Sequence, residues 1–186
     1  KRMRPTDDKT LVFGYVGRIT AEKNVRLFVD IERALEQAGI QDFRIRVVGH
    51  GGEESYLKET LRHGELPGVL KGEDLSRAYA DFDVFLFPSH TDTFGNVVQE
   101  AMASNVPVIV TSSGGPKFLV EDGSTGFIAR DDTHFVQLAV EIARNRDRLP
   151  QMQAAAREYA LKQSWDAVFE DVFRAYEHAF APGSAF

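Results

Sequence analysis

The sequence predicts an α/β fold: a doubly wound, six-stranded parallel sheet of the Rossmann-like kind, with extra helices at its C-terminal end. Two observations lead to this prediction. Along residues 11–129, short apolar runs alternate with segments in which apolar residues recur at helical spacing. The runs are also apolar without interruption, which is typical of parallel strands covered by helices on both faces. Such units connect through right-handed crossovers, so a layered domain is expected.

Each element has its own signal. The strands are placed by six apolar runs, in order LVFGYVG (11–17), RIRVVG (44–49), a weak run near 69–70, DVFLFP (83–88), PVIVT (107–111) and GFIA (126–129). Apolar residues at helical spacing predict helices between them, over residues 28–38, 53–63, 74–80 and 96–103. From Asp132 onward the spacing is helical only, and a last helix over 165–181 carries a stripe of bulky side chains. Residues 1–10 are expected to be a linker or an edge of a longer chain, and residues 11–164 the domain.

The composition excludes several classes of protein. With 43% hydrophobic and 27% charged residues, the 186-residue chain should be a globular domain with a sizeable core. It has no apolar run long enough to span a membrane and no signal peptide. A cytoplasmic location is expected, since a chain without cysteine fits a reducing compartment. A net charge of −6 argues against a nucleic-acid partner. The absence of cysteine rules out disulfides, and the five scattered histidines predict no metal site.

Candidate binding residues follow the predicted strands, because ligands of open α/β sheets bind beyond the carboxyl ends of the strands. GRITAEKN (17–24) offers Gly17, Arg18 and Lys23, and GHGGEE (49–54) offers Gly49. Glycine lets a backbone approach a ligand closely, and cations beside helix N-termini suit a diphosphate. The alternative is that the cations are ordinary surface residues. The dinucleotide fingerprint is not met, because the third glycine that it requires is missing.

The segment FPSHTDTFGNVVQEAM (87–102) is the richest of these loops. Its residues 94–96, Phe94, Gly95 and Asn96, would present free backbone N–H groups at the start of a helix. Asp92 would then accept hydrogen bonds from sugar hydroxyls. Glu100, one helical turn beyond Asn96 on the same face, would accept from a second polyol such as a ribose. The alternative is that Asp92 or Thr93 simply caps the helix, and spacing alone does not choose between the two.

Three segments, in this order, carry a resemblance to a known family: YVGRITAEKN (15–24), DVFLFPSHTDTFGNVVQEAMASNVPVIVTSSGG (83–115) and EDGSTGFIARDD (121–132). They resemble the Gly-Arg…Glu-Lys loop, the E-x7-E signature with its flanks, and the Asp-Gly-x-x-Gly-Phe segment of retaining GT-B-fold glycosyltransferases of family 4 (group 1). The likeness covers about Leu11 to Phe180. The chain therefore resembles the C-terminal, donor-binding domain of such an enzyme.

The resemblance implies a role for each candidate residue. Arg18 and Lys23 would hold the diphosphate of a nucleotide-sugar and stabilise its developing charge. Asp92 would face the sugar hydroxyls as the third catalytic residue, while Glu100 would bind the ribose. The sequence also departs from the family pattern. Asp92 is one methylene shorter than the usual Glu, Phe118 stands where Glu is frequent, and Asn24 and Asn105 stand where Gly is frequent.

By the same resemblance, the chain would bind the donor for transfer of a hexose from a nucleoside-diphosphate sugar, without metal or cofactor. The wording TDTFGNVV (91–98) is reminiscent of members that transfer mannose or act on glycolipids, and a lipid acceptor would place the enzyme at the membrane periphery. The resemblance does not extend to the N-terminal, acceptor-binding domain of whole members, so the chain is expected to be an incomplete fragment, inactive alone. The helix over 165–181 would cross to that domain, or else pack on its own domain or in a homodimer.

Two alternatives stay open at this point. The chain could be the donor domain of a GT-B nucleotide-sugar epimerase, which would look alike. It could also be a non-catalytic α/β interaction module that works through its aromatic C-terminal stripe. Loss of nucleotide binding on substitution of Arg18 and Glu100 would argue against the module, and transfer by the intact enzyme would argue against the epimerase.

Overall fold

The computed structural model describes residues 8–163, which form one six-stranded parallel sheet with helices on both faces. The strands are β1 (Leu11–Val16), β2 (Phe43–Val48), β3 (Gly64–Gly68), β4 (Val84–Phe87), β5 (Val108–Thr111) and β6 (Gly126–Ala129). The helices are α1 (Leu27–Gln37), α2 (Glu54–Thr60), α3 (Gly72–Asp81), α4 (Asn96–Ala103), α5 (Asp132–Arg144) and α6 (Leu149–Lys162). The predicted fold class is confirmed. The predicted last helix, over residues 165–181, lies outside the described residues.

The chain changes direction within the sheet between β1 and β4. The strand order is β3-β2-β1-β4-β5-β6, so β1 lies next to both β2 and β4. From β1 the connections run toward β3, and from β4 they run toward β6. In a parallel sheet, such a reversal opens a crevice where the loops after the two neighbouring strands diverge. The loops after β1 and β4 therefore border one crevice.

The third strand was wrongly placed by the sequence. The prediction put it near residues 69–70, whereas β3 covers Gly64–Gly68. Its sequence, GELPG, lacks an apolar run because β3 is at the edge of the sheet and is only partly buried. Pro67 is tolerated there, since an edge strand does not need every backbone N–H for pairing.

The second helix is shorter than predicted, ending at Thr60 rather than at residue 63. The reason is a buried carboxylate on α1. Glu32 is 3% exposed and accepts hydrogen bonds from the backbone N–H groups of Arg62 (3.1 Å) and His63 (2.7 Å). These N–H groups are satisfied by a side chain and no longer need helical partners, so the chain turns into β3.

The core lies on both faces of the sheet, as continuous apolar strands predict. The side chains of β1, β4 and β5 are buried, and α1 packs against α5 on one face while α4 packs against α6 on the other. Gly14 in β1 makes room for the ring of Phe82, which a Cβ at that position would overlap. Among the helices within residues 8–163, none combines the length and apolar character needed to cross a bilayer.

Candidate functional site

A cleft of about 310 Å³ opens at the carboxyl ends of β1 and β4, where the strand order reverses. Six of the predicted site residues line it, namely Gly17, Lys23, Asp92, Phe94, Gly95 and Asn96. Thr93, considered above only as a helix cap, and Tyr15, which the sequence analysis did not single out, also line it. The other three predicted residues, Arg18, Gly49 and Glu100, lie outside its lining. The fold thus brings the loops after β1 and β4 to one cleft.

A larger cavity, of about 510 Å³, lies between β3 and α3. Its central cation, Arg46, forms ion pairs with Glu65 (2.8 Å) and with Asp81 (3.6 Å). Charges that neutralise one another within the protein leave little to attract a charged ligand. The cavity also lies near the edge of the sheet, away from the reversal, so the smaller cleft is the better candidate site.

Lys23 and Asp92 form an ion pair inside the cleft. The Lys23 ammonium lies 2.8 Å and 2.9 Å from the two carboxylate oxygens of Asp92. Their side chains are only 13% and 24% exposed, so water weakens this pair less than it weakens a surface pair. Partial burial favours the neutral acid, but the hydrogen bond and charge of Lys23, together with weaker contributions that include the charge of Arg18, outweigh it and hold the pKa of Asp92 below its usual value.

The backbone around Arg18 is held in place, but the Arg18 side chain is not part of the cleft lining. The Tyr15 hydroxyl donates a hydrogen bond to the Arg18 carbonyl oxygen at 2.8 Å. Burial raises the pKa of Tyr15, so this hydroxyl stays protonated and remains a donor. The Arg18 guanidinium is 68% exposed and pairs with Glu22 at 2.6 Å. It would have to leave Glu22 to reach a ligand in the cleft.

Helix α4 begins at the cleft without a side-chain cap. Its N-cap residue is Gly95, which has a positive φ of 91°, and no side chain accepts a hydrogen bond there. The interpretation of Asp92 or Thr93 as a cap is therefore wrong, because Asp92 pairs with Lys23 instead. The first N–H groups of α4 stay open for an anion, whose charge the helix dipole favours.

The loop that carries Asp92 is held by a second loop, the one after β5. The N–H of Gly115 donates a hydrogen bond to the carbonyl oxygen of Asp92 at 2.9 Å. A Cβ at Gly114 or at Gly115 would overlap the carbonyl oxygens of Asp92 and Thr93, respectively. The Gly114–Gly115 pair is therefore required for this close backbone approach and is more than a plain turn.

Gly49 is explained by a contact within the protein. It has a φ of 143°, and a Cβ there would overlap the carbonyl oxygen of Gly17. Its N–H donates to the carbonyl oxygen of Gly68 at 2.9 Å. Gly49 thus lets the loops after β1, β2 and β3 pack together, and it contacts the lining residue Gly17 without lining the cleft itself.

Glu100 lies one turn along α4 from Asn96, as its spacing predicts, but it faces α3. The Tyr79 hydroxyl donates a hydrogen bond to Glu100 Oε2 at 2.8 Å. Burial, and then this hydrogen bond, raise the pKa of Tyr79, which keeps its hydroxyl protonated. One carboxylate oxygen of Glu100 is thus oriented by a buried tyrosine. No sequence signal pointed to Tyr79, because the contact depends on how α3 packs against α4.

No metal site accompanies the cleft in the part of the chain that is described. Within residues 8–163, no group of three or more His, Asp or Glu side chains is placed to hold a metal ion. The charged groups around the cleft are two cations, Lys23 and Arg18, and their partners, Asp92 and Glu22. The arrangement is suited to exchanging these internal carboxylates for the anionic groups of a ligand.

Comparison with known sequences identifies related proteins. The profile of the family described as "Glycosyl transferases group 1" matches residues 10–145. A GDP-mannose-dependent alpha-mannosyltransferase of Corynebacterium glutamicum is 32% identical over 183 residues, covering 97% of this chain. The sulfoquinovosyl transferase SQD2 of Arabidopsis thaliana is 36% identical over 167 residues, covering 86%. The chain spans only 43% and 32% of the lengths of these two relatives.

Comparison with solved structures supports the fold. The pneumococcal O-GlcNAc transferase GtfA, solved in complex with UDP and GlcNAc, matches with a TM-score of 0.76 at 21% sequence identity. The match covers 94% of this chain and 37% of that one. At this identity the likeness speaks for the fold alone.

Proposed function

The chain belongs to the group 1 glycosyltransferases, and on that premise we propose that it binds the donor of an enzyme that transfers a hexose from a nucleoside-diphosphate sugar to an acceptor. The observation that carries the proposal is the cleft itself. A largely buried lysine, Lys23, and the uncapped N-terminus of α4 line the same cleft at the reversal of the sheet. Both attract anions, and a diphosphate is an anion of suitable size for them.

Each charged residue then has a defined task. When the bond between the anomeric carbon and the diphosphate breaks, negative charge develops on the leaving phosphate. Lys23 and the N–H groups of α4 stabilise that charge, and Arg18 adds a second cation after it leaves Glu22. Asp92 gives up its ion pair with Lys23 and accepts hydrogen bonds from the hydroxyl groups of the sugar. Glu100, held by Tyr79, accepts hydrogen bonds from the ribose hydroxyls.

The donor that we propose is GDP-mannose. The support comes from the relative that covers 97% of the chain, whose name states that it depends on GDP-mannose. The TDTFGNVV segment, residues 91–98, agrees with that assignment. We further propose that the chain is one part of a longer enzyme, since it spans less than half of that relative, and that the remaining part binds the acceptor.

Nucleotide binding tests the proposal. The melting temperature of the chain is measured with GDP, UDP, ADP and CDP at millimolar concentration. A ligand at 100 times its dissociation constant adds about 2.7 kcal/mol to the free energy of unfolding. We expect the largest rise with GDP and a loss of that rise in Lys23→Met. Lys162→Met, which removes an exposed lysine of α6, is the matched control. Equal rises for wild type and Lys23→Met, or no rise with any nucleotide, would contradict the proposed site.

A further inference from the structure

Three polar side chains, two from loops and one from the start of a helix, meet next to the loops that border the cleft. Asn24 follows the 3₁₀ turn Ala21–Lys23, His90 lies in the loop after β4, and Asp132 is the first residue of α5. The Asn24 amide nitrogen donates to both carboxylate oxygens of Asp132, each at 3.1 Å. His90 Nε2 lies 3.0 Å from Asp132 Oδ1 and 3.4 Å from the Asn24 amide nitrogen. We call this the Asn24–His90–Asp132 cluster.

The cluster is adjacent in sequence to both members of the ion pair in the cleft. Asn24 directly follows Lys23, and His90 precedes Asp92 by two residues. Asn24 also ends the 3₁₀ turn that carries Lys23, with its own N–H donating to the Ala21 carbonyl oxygen at 2.9 Å. A displacement of either loop would therefore move one side of the ion pair.

Asp132 has no competing task in starting α5. The N-cap of that helix is Asp131, whose carboxylate accepts a hydrogen bond from the His134 N–H at 2.7 Å. The Asp132 side chain is thus not needed as a cap, and it accepts hydrogen bonds from the Asn24 amide instead. Because α5 packs against α1, β5 and β6, its first turn is a firm anchor for two loops that are otherwise exposed.

We propose that the Asn24–His90–Asp132 cluster is a positioning device for the donor site. It holds the loop of Lys23 and the loop of Asp92 against α5, so that the Lys23 ammonium and the N-terminus of α4 address the same diphosphate. The effect of the cluster on the ligand passes through Lys23, and its own residues do not touch the ligand. This inference rests on the proposed function, since the diphosphate is what the two loops are aligned to bind.

The test uses two matched asparagine substitutions. Only two non-glycine residues among those described have positive φ, Asn24 at 55° and Asn105 at 63°. Glycine adopts this conformation without strain, so Asn24→Gly and Asn105→Gly keep the backbone and remove only an amide side chain. Asn105 follows the end of α4, far from the cleft. GDP and UDP are titrated into the wild-type chain and both variants by calorimetry, and unfolding is followed without ligand.

We expect Asn24→Gly to weaken nucleotide binding about fivefold, which is the size of coupling expected between neighbouring groups. Asn105→Gly should bind the nucleotide as tightly as wild type does. Lys23→Met weakens binding by itself, so its residual affinity is measured at higher nucleotide concentration. In that background Asn24→Gly should cause no further loss, because the group that it positions is gone. A role in stability alone would lower the melting temperature and leave the dissociation constant unchanged, which would overturn the inference.

The remaining outcomes separate this inference from the proposed function. Nucleotide binding by wild type with equal affinity in Asn24→Gly would overturn the positioning role and leave the donor site standing. Equal losses from Asn24→Gly with and without Lys23 would show that the cluster does not act through that lysine, and would also overturn it. Binding of neither GDP nor UDP by the wild-type chain would count against the donor site, and the positioning role would fall with it.

Discussion

Lys23 and Asp92 illustrate how single residues of the cleft depend on each other. The sequence assigns them separate tasks, one toward a diphosphate and one toward a sugar. In the structure they are each other's partners, at 2.8 Å and 2.9 Å. A bare diphosphate must therefore compete with Asp92 for Lys23. We expect a nucleotide that carries a sugar to offer Asp92 hydroxyl groups in exchange, so that the ion pair favours the donor over the leaving product.

The first prediction concerns that competition. Asp92→Asn removes the negative charge that competes for Lys23 and keeps the shape of the side chain. We expect the variant to bind free GDP about threefold more tightly than wild type, since partly exposed ion pairs are worth about 1 kcal/mol or less. It should bind GDP-mannose no more tightly, because the sugar loses a carboxylate acceptor. Both affinities are measured by calorimetry, with Asp30→Asn on the outside of α1 as the control. Weaker binding of free GDP by Asp92→Asn would contradict this account.

The second prediction follows from the lowered pKa of Asp92. A carboxyl group whose pKa is lower in the folded state than its ordinary value, 3.8, stabilises the fold fully at a pH above 3.8. This stabilisation is lost as the pH falls through the lowered pKa. Wild type should therefore melt at a higher temperature than Asp92→Asn at pH 7. The difference between the two melting temperatures should shrink as the pH is lowered from 4 toward the acid limit of folding. A difference that stayed constant with pH would show that the ion pair does not stabilise the fold.

At the scale of elements, the site depends on how loops pack on one another. The loop after β5 supports the loop after β4 through the Gly115 N–H, and the loop after β2 supports the loop after β1 through Gly49. The helix that follows β4 is then left with an uncapped N-terminus facing the cleft. Glycines near the site thus serve contacts between loops, and the first N–H groups of α4 remain open beside these contacts.

The third prediction tests the support from the loop after β5. In Gly115→Ala, the new Cβ would overlap the Thr93 carbonyl oxygen, so the loop of Asp92 must move. We expect a loss of about 1–3 kcal/mol in the free energy of unfolding, as for other overpacked sites, and weaker binding of GDP. Gly52→Ala is the matched control, because a Cβ there meets nothing within 4 Å. Urea unfolding and GDP titration measure both effects, and normal GDP affinity in Gly115→Ala would count against the role of this contact.

At the scale of the whole molecule, the reversal of strand order determines where the charges meet. Because β1 and β4 are neighbours, residues 69 positions apart in sequence, Lys23 and Asp92, reach one cleft. The cleft is open on one side, and the chain spans 43% of the length of its mannosyltransferase relative. We therefore expect the remaining part of the enzyme to close the cleft over the donor and bring the acceptor.

The fourth prediction follows from that division of labour. The chain alone should bind GDP but should release no GDP from GDP-mannose at a measurable rate when an acceptor is added. The whole enzyme should release it, and Lys23→Met in the whole enzyme should slow release about 100-fold or more, the usual cost of losing one group that stabilises developing charge. A coupled assay for GDP measures all three rates. Turnover by the chain alone at the rate of the whole enzyme would contradict the division.

Much of the fold could be read from local patterns, because strands buried on both faces must be apolar throughout. That requirement predicts five of the six strands and the doubly wound α/β architecture. The rule that ligands bind at the carboxyl ends of strands predicts the loops that border the cleft. The exception is β3, an edge strand that needs no apolar run. The positions of Lys23, Asp92 and Asn96 at the cleft follow from the same rules.

The partners of these side chains could not be read from the sequence. Lys23 pairs with Asp92, Arg18 turns outward to Glu22, Glu100 receives a hydrogen bond from Tyr79, and Asn24 joins His90 and Asp132. Apart from the Arg18–Glu22 pair, these contacts join residues at least 21 positions apart in sequence. Such contacts depend on how loops and helices pack in three dimensions. The local periodicity of the sequence carries no information about that packing.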